Sequence, residues 1–150
     1  MVSSDYEDLF KTLNAFKIKY LIVGAHAVIY YTKPRFTKDL DVWVPAELND
    51  PKKVYQALKK YGAPLTGMKP ADFCDKGVIY QIGIAPVRID IMVNVEGVSI
   101  PEAWKNKRQI RYGRTKVFVL GKKNLIQAKE AAGRPEDLTD LKRLRKSWRR

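Results

Sequence analysis

Asp39 and Asp41 flank Leu40 in the run Arg35-Phe36-Thr37-Lys38-Asp39-Leu40-Asp41-Val42. In a strand, alternate side chains share a face, so the two carboxylates would project together while Leu40 and Val42 enter a core. Neighbouring acids repel one another and disfavour a strand. A hard divalent cation such as Mg²⁺ removes that cost, because it takes oxygen ligands and leaves positions for water and substrate phosphates. A simpler reading pairs one Asp with Lys38 or Arg35 at the strand entry. A third acid, Asp90, lies inside the apolar run Ile89-Asp90-Ile91-Met92, where an unpaired charge is expensive. Two readings stay open for it: an ion pair with Arg88 or another base, or a third ligand on a strand beside the first. Three carboxylates on neighbouring strands can hold two ions about 3.5–4 Å apart, the arrangement used for in-line phosphoryl chemistry.

Fifteen residues before Asp39, the run Ile22-Val23-Gly24-Ala25 ends an apolar stretch and opens a helical one. A strand-to-helix turn there aims backbone N–H groups and a helix N-terminus at a phosphate, although most such turns are only connections. His26 follows within an apolar helix and reads as a packing residue. Cys74 has no matched His and makes no case for a nucleophile. Trp43, Tyr30 and Tyr31 read as core residues. Trp148, among Arg and Lys, reads either as a base-stacking residue or as an anchor for the last helix.

The elements that must carry these residues follow from periodicity and punctuation. Leu9, Phe10, Leu13 and Phe16 fall on one face of a helix over residues 4–16, capped by Ser3 or Ser4. Tyr20 to Val23 reads as a buried strand, and Ala25 to Tyr31 as a helix that stops before Pro34. Leu40 to Val44 alternates and ends at Pro45, which predicts a strand. Asp50-Pro51 starts a helix with Val54, Leu58 and Tyr61 on its apolar face. Residues 62–76 read as loop, Gly77 to Ile84 and Val87 to Val95 as strands joined across Ala85-Pro86, and Arg111 to Leu120 as a hairpin turning near Gly113. Two helices close the chain, Lys122 to Ala132 and Pro135 to Trp148, separated by Gly133. This order predicts an α/β (α+β) domain, a small mixed sheet with helices packed on it and two C-terminal helices, over residues 1–150 as one unit.

Composition bounds the function. One Cys and one His exclude an internal disulfide and a Cys/His metal site, which suits a reducing, cytoplasmic setting. The longest apolar stretch, Tyr20 to Tyr31, is shorter than the roughly 20 residues a membrane helix needs, and the polar, acidic N-terminus shows no secretory leader. The net charge is +13. It is uneven: Lys105 to Lys123 holds eight basic residues and no acidic one, and Lys142 to Arg150 holds six more. A field of that size and clustering favours a polyanionic partner over a merely lysine-rich surface.

Taken together, the residues resemble the polymerase-β-like nucleotidyltransferase superfamily. Its pattern is an apolar strand, a Gly-Gly or Gly-Ser turn, a short helix, Asp-x-Asp/Glu, and one more Asp on a later strand. Here these are Ile22-Val23-Gly24-Ala25, Asp39-Leu40-Asp41 and Ile89-Asp90-Ile91. The approach Arg35-x-Thr37-x-Asp39-Leu40-Asp41 and the ending Leu125-Ile126-Gln127-Ala128-Lys129-x-Ala131-Ala132-Gly133-Arg134-Pro135-x-Asp137-x-x-Asp140-Leu141 are similar to the single-domain branch that includes abortive-infection and toxin–antitoxin enzymes. The resemblance spans residues 21–141. It implies transfer of NMP from an NTP to an acceptor hydroxyl. Asp39, Asp41 and Asp90 are then the catalytic residues and the ligands of Mg²⁺ or Mn²⁺. Gly24, Ala25, Arg35, Thr37, Lys38 and Lys129 fall at substrate-binding positions. RNA, such as a tRNA 3′ end, is the first acceptor to expect. The alternatives are AMP transfer to a protein side chain, as in a toxin–antitoxin pair, and a non-catalytic nucleic-acid-binding module on the same fold. Asp137 and Asp140, in the first turn of the last helix, read as a cap or surface pair. Ala25 departs from the pattern: it keeps the backbone N–H but lacks a hydroxyl to touch a phosphate.

Overall fold

The computed structural model describes residues 3–33, 37, 39–84 and 87–150. Among these residues six strands form one mixed sheet: β1 (Leu21–Val23), β2 (Asp39–Trp43), β3 (Ile79–Ile82), β4 (Arg88–Met92), β5 (Arg108–Tyr112) and β6 (Thr115–Val119). Their order across the sheet is β3-β4-β2-β1-β6-β5. The pairs β2/β4 and β1/β6 are parallel, and the remaining neighbours are antiparallel. The helices are α1 (Ser4–Ala15), α2 (Gly24–Tyr31), α3 (Pro51–Tyr61), α4 (Ile100–Lys105), α5 (Lys122–Ala132) and α6 (Pro135–Lys146). The expected mixed sheet with helices packed on it, and two helices at the C-terminal end, is therefore present.

Local chemistry accounts for these boundaries. Ser3 caps α1 by accepting the Tyr6 N–H at 3.4 Å, and the face that buries Tyr6, Leu9, Phe10 and Leu13 packs toward α3 and β6. Asp50 caps α3 through the Lys52 N–H at 2.9 Å, with Pro51 in the first turn. Gly133 takes the left-handed conformation that ends α5. In the centre of the sheet Leu40, Val42, Ile89 and Ile91 are buried, with Trp43 and Tyr20 fully enclosed. The outer strand β5 exposes Arg108, Gln109 and Arg111; charges on an edge strand discourage pairing with another chain.

Three elements differ from the sequence expectation, one of them α6, which ends at Lys146 and leaves Trp148 outside the helix. Helix α4 was not foreseen, because six residues are too few to show a period. Strand β5 begins at Arg108, ahead of the expected Arg111, because its side chains alternate in charge and polarity with little apolar signal. The expected junction of two strands at Ala85-Pro86 lies outside the described residues. Within 62–76, a short 3₁₀ turn covers Pro70–Cys74 and buries Phe73. Among the described residues no helix is long and apolar enough to cross a membrane.

Candidate active site

The parallel pairing of β2 with β4 sets the site. Its register places Leu40 beside Ile89 and Val42 beside Ile91, all buried, and so fixes the opposite face. On that face Asp41 stands beside Asp90, and Asp39 beside Arg88. Neighbouring strands lie about 4.8 Å apart, so four charged side chains form a compact block. The three acids project from the same side of the sheet, as the alternation of the two strands requires.

Within the block, Arg88 is the counter-ion. Its guanidinium donates from Nε to Asp90 Oδ1 and from Nη2 to Asp90 Oδ2, both at 3.2 Å, and its Nε lies 3.9 Å from Asp39 Oδ1. Asp90 therefore pairs with Arg88, and its strand lies beside the Asp39/Asp41 strand. Asp41 receives less help. Burial and then the negative charges of Asp90 and Asp39 push its carboxyl up to about 6, against weaker opposing pulls from Lys129 and Arg88. As the side chains stand, no three His, Cys, Asp or Glu groups among the described residues are gathered tightly enough to cage a metal ion. The donor set nevertheless fits a hard divalent cation. It is made only of carboxylate oxygens on rigid strands, and it holds more negative charge than one arginine neutralises.

Antiparallel pairing places Val23 beside Asp41, so α2 begins immediately next to the block. Gly24, its first residue, has φ +67°. A Cβ there would overlap Asp41 Oδ2 and lie 3.0 Å from Cγ. Glycine is therefore required twice, by conformation and by the approach of the carboxylate. Ala25 occupies the first turn of α2 and is half-buried. His26 packs edge-on against Tyr6, ring centroids 5.6 Å apart, and the Tyr6 hydroxyl donates to the Arg88 carbonyl at 3.2 Å. Tyr6 thereby ties α1 to the start of β4, a link that no sequence pattern signalled.

The elbow between α5 and α6 closes another side. Lys129 is buried, its ammonium 3.0 Å from Asp137 Oδ1 and 3.2 Å from Asp140 Oδ2. Asp137, with no exposed surface, also accepts Arg134 Nε at 2.7 Å and the Arg134 backbone N–H at 3.1 Å. The helix-capping role expected for Asp137 is present, but the expected surface pair is not: Asp137 and Asp140 are both buried around Lys129. Burial works to raise the Asp137 pKa, yet the hydrogen bonds from Arg134 and Lys129 outweigh it and the value falls to about 2. Arg134 and Lys129 both act electrostatically on Asp41, while each is itself paired with carboxylates of the elbow. Arg134 was not singled out for that from the sequence; its place three residues before Asp137 was the available signal.

Thr37 is half-buried two residues before Asp39, while Arg35 and Lys38 lie outside the described residues. Cys74 is exposed and free. Trp43 and Tyr31 are buried as expected, and Tyr30 half-buried.

The sequence profile of a family described as nucleotidyltransferases of unknown function (DUF6036) matches residues 1–145. No curated protein matches the sequence. Among solved structures, a candidate nucleotidyltransferase from Thermotoga maritima shares 15% identity and a TM-score of 0.63 over 95% of this chain and 93% of its own. The lincosamide antibiotic adenylyltransferase LnuA shares 16% identity and a TM-score of 0.58 over 97% of this chain and 98% of its own. The antibiotic-resistance factor ANT(2″)-Ia shares 13% identity and a TM-score of 0.63 over 94% of this chain and 80% of its own. At these identities the likeness is one of fold.

Proposed function

The chain belongs to the family of nucleotidyltransferases of unknown function, and from that premise we propose that it transfers NMP from an NTP to a hydroxyl of an RNA acceptor, such as a tRNA 3′ end, at Asp39, Asp41 and Asp90. The observation that carries the reading is the register of β2 against β4, which puts Asp41 beside Asp90 with Asp39 on the same face.

In the reaction the acceptor oxygen attacks the α-phosphorus, the bond from that phosphorus to the bridging β-phosphate oxygen breaks, and pyrophosphate leaves. Asp39, Asp41 and Asp90 would hold Mg²⁺ or Mn²⁺, which neutralises triphosphate charge and makes the acceptor hydroxyl easier to ionise. In this reading Asp90 accepts the hydroxyl proton. The N-terminus of α2, at Gly24 and Ala25, offers backbone N–H groups and a positive dipole to the outer phosphates. Arg88 offsets part of the charge of Asp90 and Asp39 in the free chain. Arg134, whose side chain is largely exposed, would add positive potential where the leaving pyrophosphate gathers charge, with Lys129 beside it at the elbow.

The choice of acceptor rests on charge. An aminoglycoside is a polyamine cation, and a chain of net charge +13 repels it. RNA is drawn to the basic run at 105–123 and to the tail. The test uses NTPs labelled at the α-phosphate, Mg²⁺, and in separate reactions tRNA, total protein, and tobramycin. Label in RNA is expected. Label only in protein or in tobramycin, or none anywhere, would overturn the RNA reading.

A further inference from the structure

At the far ends of α2 and α6 from the carboxylates lies a cavity of about 530 Å³, with Tyr31, Lys33, Arg143, Lys146 and Trp148 in its wall. It exists because the chain after α6 is pinned back across the molecule: Lys122 Nζ donates to the carbonyls of Ser147 at 2.9 Å and Arg149 at 3.1 Å. The pinning sets the Arg149 guanidinium 4.7 Å from the Tyr30 ring centroid and 5.3 Å from that of Trp148. Tyr30 is half-buried and Tyr31 fully buried, while Trp148 keeps 83% of its surface exposed. A tryptophan left in water costs hydrophobic free energy, and this one is held at a cavity rim by a cation–π contact and flanked by Lys146 and Arg149.

From this geometry we propose that the cavity binds single-stranded nucleic acid, with one unstacked base on the Trp148 indole and adjacent phosphates on Lys33, Arg143 and Lys146. An exposed aromatic ring beside cations is the usual platform for a base that has left its stack, and it cannot reach bases inside a duplex. The charge complementarity is direct: of the lining residues, Lys33, Arg143 and Lys146 are exposed and Tyr31 is buried. Helix α2 spans roughly 12 Å at 1.5 Å per residue, so the cavity and the carboxylates are a few nucleotides apart along one strand. The site deepens the proposed function and rests on its RNA acceptor: a strand whose 3′ end meets Asp90 would have an upstream base at Trp148.

The test is fluorescence anisotropy of the full chain, without NTP, against a labelled 20-nucleotide single-stranded RNA and its duplex. Trp148→Ala should weaken single-strand binding about 5- to 100-fold, and Trp148→Phe should restore most of it. Arg143→Ala with Lys146→Ala should lower the slope of log affinity against log salt by about 1.4. Binding by Trp148→Ala within two-fold of wild type, equal affinity for the duplex, or no binding at all would overturn the site. The two readings fail separately. RNA that binds through Trp148 but is never labelled by NTP removes only the acceptor reading. RNA labelled by Trp148→Ala with unchanged KM removes only this site.

Discussion

Asp41 and Asp90 stand side by side on two paired parallel strands, two carboxylates in register. Like charges directly opposite each other destabilise a sheet, and burial adds to the cost for Asp41, whose carboxyl rises to about 6. Asp41→Asn should therefore raise the melting temperature, by roughly 2–4 °C for each kcal/mol relieved, while transfer falls by about 10³-fold or more. Calorimetry and the labelled-NTP assay check both halves. A lower melting temperature would show that the charge supports the fold.

Gly24→Ala should damage fold and site together. The left-handed backbone and the overlap with Asp41 Oδ2 cost about 1–3 kcal/mol, read as a lower denaturation midpoint. Transfer should fall more steeply than stability, because Asp41 must move to make room. Activity at the wild-type level would show that the carboxylate need not stay where the turn holds it.

Arg88→Met removes the cation bound to Asp90 at 3.2 Å and leaves three acids without their counter-ion. The affinity of the free protein for Mn²⁺, followed by electron paramagnetic resonance, should rise several-fold, since each opposing charge removed favours a cation at the same place. Unchanged or weaker Mn²⁺ binding would mean that Arg88 helps to shape the cation site.

Lys129→Met strands Asp137 and Asp140 without their ammonium and should cost about 3–5 kcal/mol, as loss of one partner from a buried ion pair does. Asp137 also gives the protein an acid limit. Its pKa falls from 3.8 to about 2 on folding. The stabilisation of roughly 2 kcal/mol is therefore complete above about pH 4 and lost as the pH falls toward 2. Asp137→Asn should flatten stability against pH across that window; an unaltered profile would contradict the assignment.

Every helix except the six-residue α4 was legible from the sequence, because the signals are local. Ser3, Asp50-Pro51 and Gly133-Arg134-Pro135 mark boundaries that the structure places within a residue or two. The Asp-x-Asp strand and the Asp90 strand were legible by alternation. Their pairing was not, because nothing within either strand states which neighbour it will choose; only the matched Leu40/Ile89 and Val42/Ile91 contacts fix it. The Lys129–Asp137–Asp140 cluster escaped for a related reason. A lysine and two aspartates near helix ends usually face water, and here the packing of α5 on α6 buries them. Arg88 was visible as a partner for Asp90, but its reach toward Asp39 depends on the register between strands.

The most direct test of the account compares wild type, Asp39→Asn and Asp90→Asn in transfer of label from α-labelled NTP to RNA, with circular dichroism confirming that all three fold. We expect label from the wild-type chain and a loss of about 10³-fold or more in each variant. Transfer by folded Asp90→Asn at the wild-type rate would contradict the claim that the acids of β2 and β4 form one catalytic centre.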